Sequence, residues 1–232
     1  MRQIAPRTGG PSFSARIRDS AYPKTNTFPP ILLQGKTVLD LGCGYNVLAV
    51  DGAKVTGIDA FAFPRPEIRH KINFVRGGME RLPFADNTFD FVSARGALHY
   101  SHMPTTLLEV RRVMKPGAML WGTLIARPEA MARMLASIVS LRLGDAAFVG
   151  YCFCNGMLSS AFGKQARWIN RKRCESVNSA KSTRRLLRDA GFVEICSENY
   201  DNRVAFSALK PTEPLVSTEI LIKETRVTAS VG

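Results

Sequence analysis

Val38-Leu39-Asp40-Leu41-Gly42-Cys43-Gly44, followed fifteen residues after Gly44 by the acid that closes Val55-Thr56-Gly57-Ile58-Asp59, is the stretch that decides the fold. It reads as a buried strand, a glycine turn, a short helix, and a second strand ending in a carboxylate. The glycines let the backbone approach a ligand closely, and the helix start offers free N–H groups to an anion. The acid after the second strand can accept hydrogen bonds from both hydroxyls of a ribose. The unit therefore predicts a nucleoside held at the carboxyl edge of a parallel sheet.

Two kinds of nucleoside fit such a turn. A dinucleotide site uses Gly-x-Gly-x-x-Gly, whose third glycine allows tight helix–strand packing. Here that position is Val47, so the residue that discriminates for a dinucleotide is missing. S-adenosylmethionine (SAM) has no pyrophosphate and places only a small carboxylate near the helix start. Gly-x-Gly alone does not decide between them.

The downstream sequence does. Arg81-Leu82-Pro83-Phe84-Ala85-Asp86-Asn87-Thr88-Phe89-Asp90-Phe91-Val92 leads into Gly96-Ala97-Leu98-His99-Tyr100 and then Leu107-Leu108-Glu109-Val110-Arg111-Arg112-Val113-Met114-Lys115-Pro116-Gly117. In this combination the chain resembles the class I SAM-dependent methyltransferases, in the broad branch that includes ubiquinone-biosynthesis and small-metabolite enzymes. The resemblance covers residues 36–125 closely and 182–210 more loosely. It implies that Asp40, Gly42, Cys43 and Gly44 form the cofactor turn, with Asp40 meeting the methionine end or bracing the loop. Asp59, with Ala60 beside it, would bind the ribose. Gly78, Met79 and Glu80 occupy the segment that flanks the adenine, and Arg95 lies at the pocket mouth. The family usually has an acid at the position of Gly78 and a glycine at that of Asn46. For a general base His99 is the first candidate, just past the fourth strand and with an ordinary pKa near neutrality, ahead of its neighbour His102.

The pattern around these motifs alternates. Strands are expected at 37–42, 54–59, 72–76, 89–94, 118–125, 192–197 and 203–209, and helices near 46–51, 66–70, 104–114, 129–143 and 180–190. Such alternation predicts a doubly wound, Rossmann-like, mostly parallel seven-stranded α/β sheet with helices on both faces. The domain is expected at 36–210, between a basic arm at 1–35, anchored through Tyr22, Phe28 and Ile31, and a tail at 211–232. Residues 127–180 interrupt the alternation. In the resembled family an insert there commonly forms a helical lid over substrate; the Met and Phe residues of this insert read equally as ordinary core.

Charge is unevenly placed in the 232 residues, whose formal net charge is +13. Residues 164–190 hold nine basic and two acidic residues, residues 1–36 six and one, and the remainder is nearly neutral. Two basic flanks suit RNA, an anionic membrane surface or an acidic substrate, or are simply a solvated face. Five cysteines without metal-ligand spacing imply reduced thiols in a cytoplasmic protein and no metal site. No stretch reads as a secretory signal or a membrane span; the longest uncharged apolar run, Ala146 to Phe162, is interrupted by Asn155, Gly156, Ser159 and Ser160.

The leading expectation is a SAM-dependent methyltransferase acting on a small or medium-sized acceptor, apolar or aromatic to judge from the insert. Two alternatives stay open. One is an RNA methyltransferase using the basic segment with Trp168, although no Asn-Pro-Pro-Tyr motif is present. The other is a SAM-binding partner without catalysis. Oligomeric state is not legible.

Overall fold

Val38, Leu39 and Leu41 are fully buried, as expected of a strand covered on both faces. They lie in β1 (Thr37–Leu41). The computed structural model describes residues 33–45, 48, 50–61, 64–125, 127–140, 143–167, 174–200 and 203–212. After β1 come β2 (Lys54–Asp59), the one-turn α1 (Pro66–Arg69), β3 (Asn73–Arg76), β4 (Phe89–Arg95), a 3₁₀ turn (Leu98–Tyr100), α2 (Met103–Val113), β5 (Met114–Ile125), α3 (Arg127–Val139), α4 (Leu143–Phe162), α5 (Ala180–Asp189), β6 (Val193–Tyr200) and β7 (Arg203–Leu209).

The strands form one seven-stranded sheet in the order β3-β2-β1-β4-β5-β7-β6. The pairs among β1 to β5 are parallel, and β7 enters antiparallel to both β5 and β6. The expected fold class therefore holds. Side chains alternate across β1, β4 and β5. Leu39, Leu41, Val92, Ala94, Leu120 and Leu124 point to the face covered by α2 and α5. Val38, Phe91, Met119 and Trp121 point to the other, where Leu33, Val50 and Val55 join them. None of that second cluster sits in a described α-helix. Of the helix expected at 46–51, residues 46, 47 and 49 lie outside the described residues, and Leu48, Val50 and Asp51 are not helical; the proposed anchors of the arm, most of the tail, and Trp168 also lie outside them.

The Leu82-to-Val92 and Glu109-to-Gly117 motifs turn out to be two halves of one clamp. Arg112 donates to the carbonyls of Leu82 and Phe84 at 2.9 and 2.8 Å and pairs with Asp86 and Glu109. Glu109 in turn accepts from the Leu82 N–H. These bonds hold the loop before β4 on the back of α2, which explains the motif spacing without chemistry at a substrate.

Two differences from the sequence expectation have plain causes. The fifth strand begins at Met114, which pairs with Phe89, and the register then jumps so that Phe91 pairs with Met119; Lys115-Pro116-Gly117 is a bulge inside the strand, Gly117 supplying its positive φ of 74°. The run around Phe148 to Phe153 is part of the 20-residue helix α4. Apolar residues at nearly every position leave no 3.6-residue period to detect.

Asp90 ties three strands together at the amino edge. Its Oδ2 accepts from the Thr37 N–H and hydroxyl at 2.9 and 2.6 Å, and Lys115 Nζ lies 3.0 Å from both oxygens. Burial alone would raise this carboxyl, but the Thr37 donors and the Lys115 ammonium outweigh it and bring the pKa from 3.8 down to about 2. A depressed folded-state value stabilises the fold above the unfolded pKa and loses that contribution as pH falls through the folded one. Stability should therefore hold down to about pH 4 and drop by roughly 1–2 kcal/mol towards pH 2 through this group. Urea titrations of wild type and Asp90→Ala test this: the variant should be less stable by about 2 kcal/mol at neutral pH, with a flatter acid limb.

Candidate functional site

The strand order reverses between β1 and β4, and the segments leaving the carboxyl ends of β1, β2, β3 and β4 meet there, the place where open α/β sheets bind ligands. They line a cavity of about 790 Å3 together with Tyr100, Ser101 and Arg167. Of the residues expected at the site, Gly42, Asp59, Ala60, Gly78, Met79 and Glu80 line it. Asp40, Cys43, Gly44, Arg95 and His99 do not, and act, where they act, from behind the wall.

Gly42 is required by two constraints. Its φ is +57°, and a Cβ there would lie 2.5 Å from Cβ of Ala97, with Sδ of Met79 also in contact. The turn thus passes directly over the segment that follows β4. Asp40, 1% exposed, braces it from beneath: Oδ2 accepts from the Leu48 N–H at 2.8 Å and pairs with Arg95 Nη2 at 3.0 Å. Of the two roles expected for Asp40, bracing is the one these bonds display. Asp59 connects the turn to β2, with Oδ2 accepting from the Gly44 N–H at 2.9 Å and Oδ1 from the Phe61 N–H at 2.8 Å. These two backbone donors, one on each oxygen, orient the carboxylate at the cavity wall.

Glu80 bridges two elements. It accepts from the His102 N–H at 2.9 Å and pairs with Arg167. Arg167 belongs to the insert and lies 87 positions away in sequence, so no local pattern could have announced it. Three aromatic side chains mark the rim: Tyr45, Phe61 and Tyr100 are 64%, 72% and 38% exposed. Tyr45 and Phe61 were missed, although each stands within two residues of a predicted site residue.

His99 is buried in the 3₁₀ turn, its ring 4.0 Å from that of Tyr100. His102 caps α2 instead, accepting from the Thr105 N–H. Burial first, and Arg167 second, push its pKa down against the opposing pull of Glu80, which suits an acceptor.

The insert is sewn to this rim. Gln165 accepts from the Met103 N–H at 2.9 Å, and the Ser176 N–H donates to the His99 carbonyl at 3.1 Å. Asn155, buried in α4, accepts from Ala166 N–H at 2.6 Å and donates to the Glu175 carbonyl at 2.8 Å. Gly156 lets the following segment close on α4: a Cβ there would sit 1.9 Å from the Val177 carbonyl oxygen.

Residues 39–122 match the family model described as "Methyltransferase domain". The fold is that of the class I SAM-dependent methyltransferases. Among curated proteins, the phthiotriol/phenolphthiotriol dimycocerosates methyltransferase of Mycobacterium leprae is 36% identical over 117 residues, which are 45% of this chain and 43% of that protein. Sterol 24-C-methyltransferase of Gibberella zeae is 33% identical over 98 residues, 36% of this chain and 26% of that protein. The chain thus spans less than half the length of these relatives. Among solved structures, Haemonchus contortus phosphoethanolamine N-methyltransferase 2 in complex with S-adenosyl-L-methionine superposes with a TM-score of 0.54 at 15% identity, over 88% of this chain and 61% of that one.

Cys43 lies in the glycine turn after β1, 7% exposed. Burial and the nearby Asp40 and Asp59 carboxylates push its thiol up to about 12. Only thiolates react readily. Iodoacetamide at pH 8 should therefore label the exposed Cys154 in the native protein and reach Cys43 only after denaturation, as read by peptide mass spectrometry.

Proposed function

We propose that this chain is a SAM-dependent methyltransferase acting on an apolar, lipid-like or aromatic acceptor of small or medium size. The observation that carries the reading is Asp59. It is oriented by two backbone donors and lines a cavity of about 790 Å3, at the end of the second strand, where a carboxylate meets ribose hydroxyls in this kind of sheet. The residues fit the cofactor. Gly42 and Gly44 put no side chain of their own into the turn, and beside Gly44 no atom would meet an added Cβ. Met79 offers an apolar wall to a ring system. Asp40 and Arg95 hold the turn rigid. When bound, SAM supplies a methyl group already activated by its sulfonium.

What the protein adds is alignment and exclusion of water, which in the best models are worth roughly 7–11 kcal/mol. Asp59 orients the nucleoside end; Tyr45, Phe61 and Tyr100 give the rim an apolar surface on which an acceptor can rest. Glu80, held by Arg167 and the His102 N–H, fixes the insert at the cavity wall. We assign His99 a positioning role beneath Tyr100. The acceptor class draws support from the names of the two curated relatives, both of which specify lipid-class acceptors.

Calorimetric titration with SAM, S-adenosylhomocysteine and NADH tests the reading. The first two should bind and NADH should not; absence of binding by both SAM forms would overturn it and favour a non-catalytic partner. Asp59→Ala should weaken SAM binding at least about a hundredfold, since two charge-assisted hydrogen bonds are lost. Gly78→Asp should do the opposite. Nothing lies within 4 Å of a Cβ built there, and an acid at that position could accept a hydrogen bond from the adenine amino group, tightening SAM binding by about tenfold.

A further inference from the structure

The insert is built inside out. The side of α4 that packs against the chain buries Cys152, Asn155, Gly156 and Ser159, whereas its outer side exposes Cys154, Met157, Leu158 and Phe162. No charged residue occurs between Asp145 and Lys164. A helix face left to water normally carries charge. The preceding helix repeats the arrangement: Met131, Leu135 and Ile138 stand at i, i+4 and i+7, each about half exposed, and Val139 is 83% exposed. These residues are therefore not core, as the sequence alone allowed.

A basic stripe adjoins this apolar surface. On α5, Lys181, Arg184, Arg185 and Arg188 are exposed at i, i+3, i+4 and i+7, opposite the buried Leu186 and Leu187. Arg185 donates to the carbonyls of Ser160 and Ala161, both at 2.8 Å, which places the stripe at the end of α4 beside Phe162. Those carbonyls satisfy hydrogen bonds without cancelling charge, and the nearby carboxylate of Asp189 lies 3.5 Å from Arg185. Residues 164–190 keep nine basic residues against two acidic.

We propose that the outer face of α3 and α4, with the basic stripe of α5 beside it, docks on an anionic lipid surface. The apolar side chains enter the headgroup boundary and the cations meet phosphate headgroups, the division of labour of interfacial helices. Among the described residues no helix is long and apolar enough to cross a membrane, so the helices lie in the surface. A second copy would bring two like-charged stripes together across the same contact. RNA would match the charge but offer nothing against which to bury Met131, Leu135 and Ile138. The docking face is separate from the Asp59 cavity and stands whether or not that cavity binds SAM.

Flotation of the full chain with vesicles tests this. The protein should float with vesicles of mixed phosphatidylglycerol and phosphatidylcholine, lose binding as salt rises, and bind pure phosphatidylcholine weakly. Leu135→Ser with Ile138→Ser, and separately Lys181→Glu with Arg188→Glu, should each lower binding at least tenfold, with circular dichroism and SAM titration unchanged. All four positions are exposed, so folding should survive; if one pair fails to fold, the other and the salt series still decide. Absence of binding to anionic vesicles, or binding undiminished by both pairs, overturns the proposal. So does a dimer, seen by light scattering, that Leu135→Ser with Ile138→Ser abolishes, or tight binding of oligouridine with none to vesicles.

Discussion

The pairing of β1 on both sides is the constraint from which the rest follows. β1 is hydrogen-bonded to β2 on one flank and β4 on the other, so its residues lie in the middle of the sheet and its interior positions are almost completely buried. Asp40 is one of them. A carboxylate so placed costs several kcal/mol unless it is paired and hydrogen-bonded. Arg95 at the end of β4 and the Leu48 N–H beyond the turn supply the partners. Both partners meet Oδ2; these two bonds lock the glycine turn to the strand across the switch point, and so shape the cavity.

The same edge explains how the insert is held. It meets the sheet domain through directional polar contacts to the rim, at Met103, His99 and Glu80, and buries a polar network around Asn155. Among the described residues its buried apolar members are Ala130, Cys152 and Val177. The aliphatic surface that would ordinarily stabilise such a helical pair is turned outward. An arrangement of this kind spends hydrophobic burial on a contact outside the described chain, and its polar stitching is what lets the helices keep their position without it.

The core motifs were legible because each depends on short-range chemistry. Gly42 and Asp59 could be named from spacing alone, since a strand, a turn and a second strand have fixed lengths. The alternation of strand and helix implied the doubly wound sheet, which handedness and short connections then restrict to few topologies. Helix α4 was not legible as a helix, because an apolar run without period carries no signal. Arg167 was invisible for another reason: its contact with Glu80 spans 87 positions, and nothing local marks either residue for the other.

By itself, then, the sequence determined the Rossmann-like α/β sheet, the glycine turn after β1 and the acid after β2, because these rest on backbone geometry within some twenty residues. The tertiary structure decided which of the expected residues face the cavity. It put Asp59, Met79 and Glu80 on the wall and left Asp40, Arg95 and His99 behind it. It also decided which side of the insert is outside. Side-chain direction at those points depends on packing between segments far apart in the chain, and no local pattern encodes that.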